Sequence, residues 1–167
     1  MGFEYDWKNS KDVYLGPRKT SEFKFAKYKG VDIPFSNELK KEDGWTFTSG
    51  FGIRYIDGAE EFHKGVDFGV EKSTEVYSLH DGKISLNPDH VNYGEHILVD
   101  DEKLFYNTKF LYAHLSGFNV KDGQKVNRGD LIGFSGNTGR STGKHLHWEK
   151  RINQIPVDPL DPLDKRL

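Results

Sequence analysis

At 167 residues the chain is long enough for one domain with a single core, and it has no apolar run long enough to span a bilayer. Its formal net charge of -2 argues against affinity drawn from a phosphate backbone, so nucleic acid is not an expected partner. Cysteine is absent, which excludes a disulfide framework and leaves only nitrogen and oxygen ligands for any metal.

Residues 1–43 are charged and aromatic, with Pro17, Gly30 and Pro34 as breakers and no sustained helical period. They are expected to form an N-terminal arm or linker, or short strands and turns, packed on a domain that occupies 44–167. The opening MGFEYDWKNSKD has neither a basic start nor an apolar stretch, so no secretory signal is visible in it. The Lys and Glu residues at 40–43 read as a solvated charge run.

From Trp45 onward the texture changes to short alternating or apolar runs divided by turn residues: WTFTSGFGIRY, VDFGV, TEVYSLH, GKISL, HILVD, KLFYNTKFLYAHL, QKVNRGDLIGFSG and KHLHWEKRI. A spacing of roughly 8 to 12 residues with Gly or Asn-Asp punctuation predicts a mainly β domain. No helical stripe exceeds about two turns, although residues 161–167 have the composition to curl.

Four of the seven histidines fall into short patterns. FHKGVDFG places His63 and Asp67 four residues apart. LYAHL puts Tyr112 and His114 on one strand face. KHLH does the same for His145 and His147, with Leu146 turned the other way. Mixed histidine and aspartate ligands suit zinc as a borderline ion, and a catalytic zinc takes three protein groups and leaves a place for water. Any histidine left over is available as a proton carrier or as a donor to a developing oxyanion. His80, His90 and His96 fit no pattern and are expected to be structural. The glycine-rich GFSGNTGRSTGKH fails as a phosphate loop, because Thr138 stands where the first glycine is required and His145 where Ser or Thr is required.

In this order, HKGVD, YAHL and GNTGRSTGKHLHWE resemble the lysostaphin-like zinc metallopeptidases, which cleave peptide cross-links of bacterial peptidoglycan. SGFGIR, STEVYSLHDGKI, VKDGQKVNRGDLIGFSGNTG and VDPL extend the likeness from about Trp45 to Leu160, some two-thirds of the chain. The resemblance implies a twisted antiparallel sheet whose groove holds one zinc ion per chain on His63, Asp67 and His147. It further implies that His145 is the general base and that His114 orients the water and the tetrahedral intermediate. Trp148 departs from the phenylalanine common at its position, and it alternates away from the ligand face.

Tyr93 and Tyr112 are candidate hydrogen-bond donors to substrate, weighed against packing roles. Arg54 is a candidate partner for a stem-peptide carboxylate, weighed against a structural ion pair. The implied partner is a peptidoglycan stem or cross-bridge peptide in the bacterial cell wall, with cleavage between D-alanine and a diamino acid favoured over glycyl bridges. The acidic balance gives little attraction to an anionic wall, so a partner, a tethered neighbouring domain or a virion tail is the expected means of delivery. The alternative is a wall-binding or scaffold module that kept the fold and lost the chemistry.

Overall fold

A computed structural model describes residues 23–39, 44–104 and 107–161. Strands β1 (Phe25–Tyr28) and β2 (Val31–Ser36) form a hairpin, and β3 (Thr46–Ser49) leads into a second one made of β4 (Gly52–Ile56) and β5 (Ala59–His63). There follow β6 (Val66–Gly69), β7 (Glu75–Tyr77), β8 (Gly82–His90), β9 (Gly94–Asp101) and β10 (Thr108–Phe118). The last four are β11 (Lys125–Val126), β12 (Leu131–Ser135), β13 (His145–Ile152) and β14 (Ile155–Val157). Among the described residues there is no helix, as the alternating runs predict. The charge run at 40–43 and the curl expected after Asp161 fall outside the described residues.

All pairings are antiparallel. The main sheet runs β11-β8-β9-β10-β13-β6-β3, with β12 bridging β10 and β7, and β14 on β13. Strand β13 lies between β10 and β6, and its alternation decides what the site contains. Leu146 and Trp148 are buried in the core with Phe68 and Tyr112, so His145, His147 and Glu149 take the other face. Burying a large apolar side chain contributes about 1.5–3 kcal/mol. A one-residue slip would exchange that burial for two imidazoles and a carboxylate in the core, so the register is firmly set.

The β1–β2 hairpin shares this core. Ile33 and Phe35 are fully buried, Phe35 meets Phe68 edge-on with ring centroids 5.7 Å apart, and Tyr28 stacks on Phe47 at 4.6 Å. The β4–β5 hairpin instead projects, leaving Ile53, Tyr55 and Phe62 exposed. Its function within the fold is to end on His63.

Candidate metal centre

Three elements bring the predicted ligands together. Asp67 on β6 pairs directly with His147 on β13, so their side chains are cross-strand neighbours on one face. His63 arrives from the end of β5 through a turn in which Gly65 lies flat on β13. A Cβ at Gly65 would sit 2.3 Å from the Trp148 carbonyl oxygen and 2.8 Å from Glu149 Cγ, so any larger residue would push β5 away.

The result is a buried trio whose ligand atoms all lie within 4.8 Å of one another. His63 Nε2 is 3.1 Å from Asp67 Oδ2, and His147 Nδ1 is 2.7 Å from Asp67 Oδ1. The far nitrogen of each ring is held by the protein. His63 Nδ1 donates to the Gly50 carbonyl at 2.7 Å, and His147 Nε2 donates to Glu149 Oε2 at 2.7 Å. His63 Nε2, His147 Nδ1 and the Asp67 carboxylate therefore face one another, and a cation bound there would take the place of the proton that His147 Nδ1 shares with Asp67. Such a donor set fits a borderline divalent cation and does not fit an ion that demands an all-oxygen shell.

The electrostatics agree. Burial opposes ionisation of Asp67, but the hydrogen bonds and charges of His147 and His63 outweigh it and hold the carboxyl far below the usual range. Burial also opposes charge on His147, yet the carboxylates on its two nitrogens push it up to about 8.

Two further histidines border the trio. His145 lies on β13 with Nε2 3.9 Å from Asp67 Oδ1. Its Nδ1 is 2.8 Å from the Gly143 carbonyl and 3.1 Å from Ser141 Oγ. A carbonyl can only accept, so the proton sits on Nδ1 and the Nε2 lone pair is open. His114 has the same arrangement, with Nδ1 donating to the Thr138 carbonyl at 2.7 Å. The rings of His114 and His145 are 4.6 Å apart. Burial, reinforced by the neighbouring imidazoles, pushes His114 down to about 4, so it is neutral at neutral pH.

His114 reaches the site by a route that regular alternation does not supply. It has φ +62°, in the left-handed region, and the register of β10 against β9 shifts between Tyr112 and Leu115. This β-bulge turns the side chain out of the core face and toward His145. Several bonds clamp the bulge. The His114 N–H donates to the Tyr93 carbonyl, and the Thr138 hydroxyl donates to the Leu115 carbonyl at 2.6 Å while accepting from the Glu95 N–H at 3.1 Å. The clamp depends on two glycines in left-handed conformations placed back to back. A Cβ on Gly139 would meet the Gly94 nitrogen at 2.3 Å.

The three candidate substrate contacts fall in different places. Tyr112 is not on the face that His114 uses: it is fully buried opposite Trp148, and its hydroxyl accepts from the Leu79 N–H. Tyr93 does reach the site, but its O–H donates to Glu149 Oε2 at 2.7 Å and its oxygen accepts from Arg151. Arg54 stands beside Asp67 with its donors committed to Glu61, Ser49 and, at 3.4 Å, Asp67 itself. The structural ion pair is the role the geometry gives it. His80 stacks on Phe110 and pairs with Asp101, and His90 accepts N–H bonds from Asn92 and Tyr93. His96 is buried with Nδ1 3.2 Å from the Gly94 carbonyl. All three stand apart from the metal trio.

Glu149 is the residue that reading the motifs missed. The period of two in HLHWE already placed it on the face of His145 and His147. It is fully buried and makes hydrogen bonds through both oxygens.

Comparison with known proteins identifies the family and the fold. Peptidase family M23 matches residues 61–159. Peptidoglycan DD-endopeptidase ShyA of Vibrio cholerae is 38% identical over 119 residues, which is 70% of this chain and 27% of ShyA. The chain thus spans about a quarter of the length of the curated relatives it matches. Among solved structures, a zinc-containing peptidase from Vibrio cholerae superposes with TM-score 0.66 at 32% identity, covering 78% of this chain and 39% of that one. The catalytic domain of lysostaphin from Staphylococcus simulans gives TM-score 0.61 at 32% identity, covering 69% of this chain and 89% of that domain.

Proposed function

This chain belongs to peptidase family M23, and from that premise we propose that it is a zinc-dependent endopeptidase hydrolysing peptide cross-links of bacterial peptidoglycan. The hydrolytic unit is assigned to residues 44–167, with the β1–β2 hairpin packed on it. The observation that carries the reading is the convergence of His63, Asp67 and His147 beneath the two open Nε2 lone pairs of His145 and His114.

His63 Nε2, an Asp67 oxygen and His147 Nδ1 are the atoms assigned to the ion. When bound, zinc lowers the pKa of its water from 15.7 to about 7 and polarises the scissile carbonyl. The rest is done by the chain. A water has two protons, and the site offers two imidazole Nε2 atoms on one side of the trio. His145, the more accessible of the two, takes a proton as general base and returns it to the leaving amine. His114 accepts the second hydrogen bond and fixes the orientation of the water, its ring held by Thr138. Asp67 stays ionised, keeping negative charge among the ligands.

ShyA is named a peptidoglycan DD-endopeptidase, which supports cleavage between D-alanine and a diamino acid. The site of action is then the bacterial cell wall. Metal content measured together with release of muropeptides from two wall types tests all of this. Expected are one zinc per chain, release of D-alanine-terminated fragments, and loss of release on chelation. A folded protein that takes up no zinc, or releases nothing when loaded, overturns the reading.

A further inference from the structure

Glu149 is a carboxylate in an expensive position. It is fully buried in the sheet, opposite Leu111 on β10, where an unpaired charge is destabilising and an apolar residue would serve packing better. Its compensation is complete. Arg151 Nε donates to Oε1 at 2.8 Å, and the Tyr93 hydroxyl donates to Oε2 at 2.7 Å. The same Arg151 reaches the Tyr93 oxygen at 3.1 Å, so the three side chains brace one another. With these donors around it, Glu149 can only accept. The remaining contact of Oε2 is His147 Nε2 at 2.7 Å.

A neutral imidazole carries its proton on one nitrogen and its lone pair on the other, and the partner of the first decides which atom can ligate. We propose that Glu149, braced by Tyr93 and Arg151, is the positioning residue that holds the proton of His147 on Nε2 and so presents Nδ1 to the metal. Without that acceptor the ring is free to exchange tautomers or to turn about χ2, and either change removes the lone pair from the face shared with His63 and Asp67. The brace also touches the second half of the site, because the Tyr93 carbonyl accepts the backbone N–H of His114. One turn residue thereby supports both a metal ligand and the bulge that delivers His114.

This inference rests on the reading of His63, Asp67 and His147 as zinc ligands, and the experiment separates the two. Zinc affinity is measured by chelator competition for the wild type, Glu149→Gln and Tyr93→Phe. Histidine nitrogen resonances are recorded on the zinc-loaded wild type. Expected is a loss of ten- to a hundredfold in affinity for Glu149→Gln, the usual effect of removing a residue that orients a metal ligand, and a smaller loss for Tyr93→Phe. The His147 spectrum is expected to show a proton on Nε2 and metal on Nδ1. Zinc bound through Nε2, or a folded Glu149→Gln protein with wild-type affinity, overturns the positioning role alone. If Glu149→Gln does not fold, the wild-type spectrum decides by itself. A wild type that binds no zinc overturns the zinc assignment and this inference with it.

Discussion

Tyr112 and His114 are two residues apart on one strand, yet one is sealed in the core and the other faces His145 and His147. The left-handed conformation of His114 is the cause. A non-glycine residue held there costs about 1–3 kcal/mol and persists only where its surroundings over-determine it. Here the Thr138 and Tyr93 carbonyls do so.

The strain at His114 makes a discriminating substitution available. His114→Gly removes the imidazole while relieving the backbone. Turnover on purified peptidoglycan is expected to fall by about 10²–10⁴. Stability should change by less than about 1 kcal/mol, the relief offsetting the lost hydrogen bond. Urea unfolding beside muropeptide release measures both; a large loss of stability would show that the ring is there for packing.

His145 is separable from metal binding, since it lies 3.9 Å from the nearest ligand oxygen and its Nδ1 is anchored on Gly143. His145→Ala should retain one zinc per chain and lose hydrolysis by about 10²–10⁴. Metal analysis of the purified variant checks the first half; a variant stripped of zinc would make His145 a ligand instead.

Gly65 allows β5 to lie close against β13. Gly65→Ala forces the Trp148 carbonyl and the Glu149 side chain away from it, separating His63 from His147. Zinc affinity should drop at least tenfold, the scale expected when a ligand is displaced. The β9–β10 and β8–β9 pairings lie beyond this contact and should survive. Chelator competition combined with amide exchange of β9 and β10 would show the two effects apart.

Stability of metal-stripped protein should depend on pH with a maximum near the ordinary histidine value of 6.5. His147 is raised to about 8, so its contribution is complete below 6.5 and disappears as pH climbs through 8. The raised value corresponds to on the order of 2 kcal/mol. His114 and His80 are held down to about 4, chiefly by burial, so their contribution is present above 6.5 and declines as pH falls toward 4. Zinc competes with the His147 proton and should bind more tightly as pH rises toward 8. Urea midpoints across this range test it; a midpoint still climbing beyond pH 8 contradicts the assignment.

Much of the molecule was legible before any coordinates. Strand alternation, turn punctuation and the spacing of HKGVD, YAHL and KHLHWE specify a β domain with its histidines gathered, because a period of two is a local property of the backbone. Those same rules placed Leu146 and Trp148 inward and His145 and His147 outward. Trp148 is buried in the core as expected.

Other features depended on contacts across the chain. Asp67 meets His147 across 80 residues, and Tyr93 meets Glu149 across 56. The bulge that swings His114 away from Tyr112 is imposed by a clamp from Thr138, 24 residues onward. The sequence left Arg54 and Tyr93 open between substrate contact and a structural role, and folding engages them with Glu61, Ser49 and Glu149. Sequence alone determined that His145 and His147 share a face of their strand, since in a regular strand that follows from backbone geometry over a few residues. Tertiary structure decided which nitrogen of each ring is left open, because a ring's tautomer is set by whatever acceptor the fold places beside it.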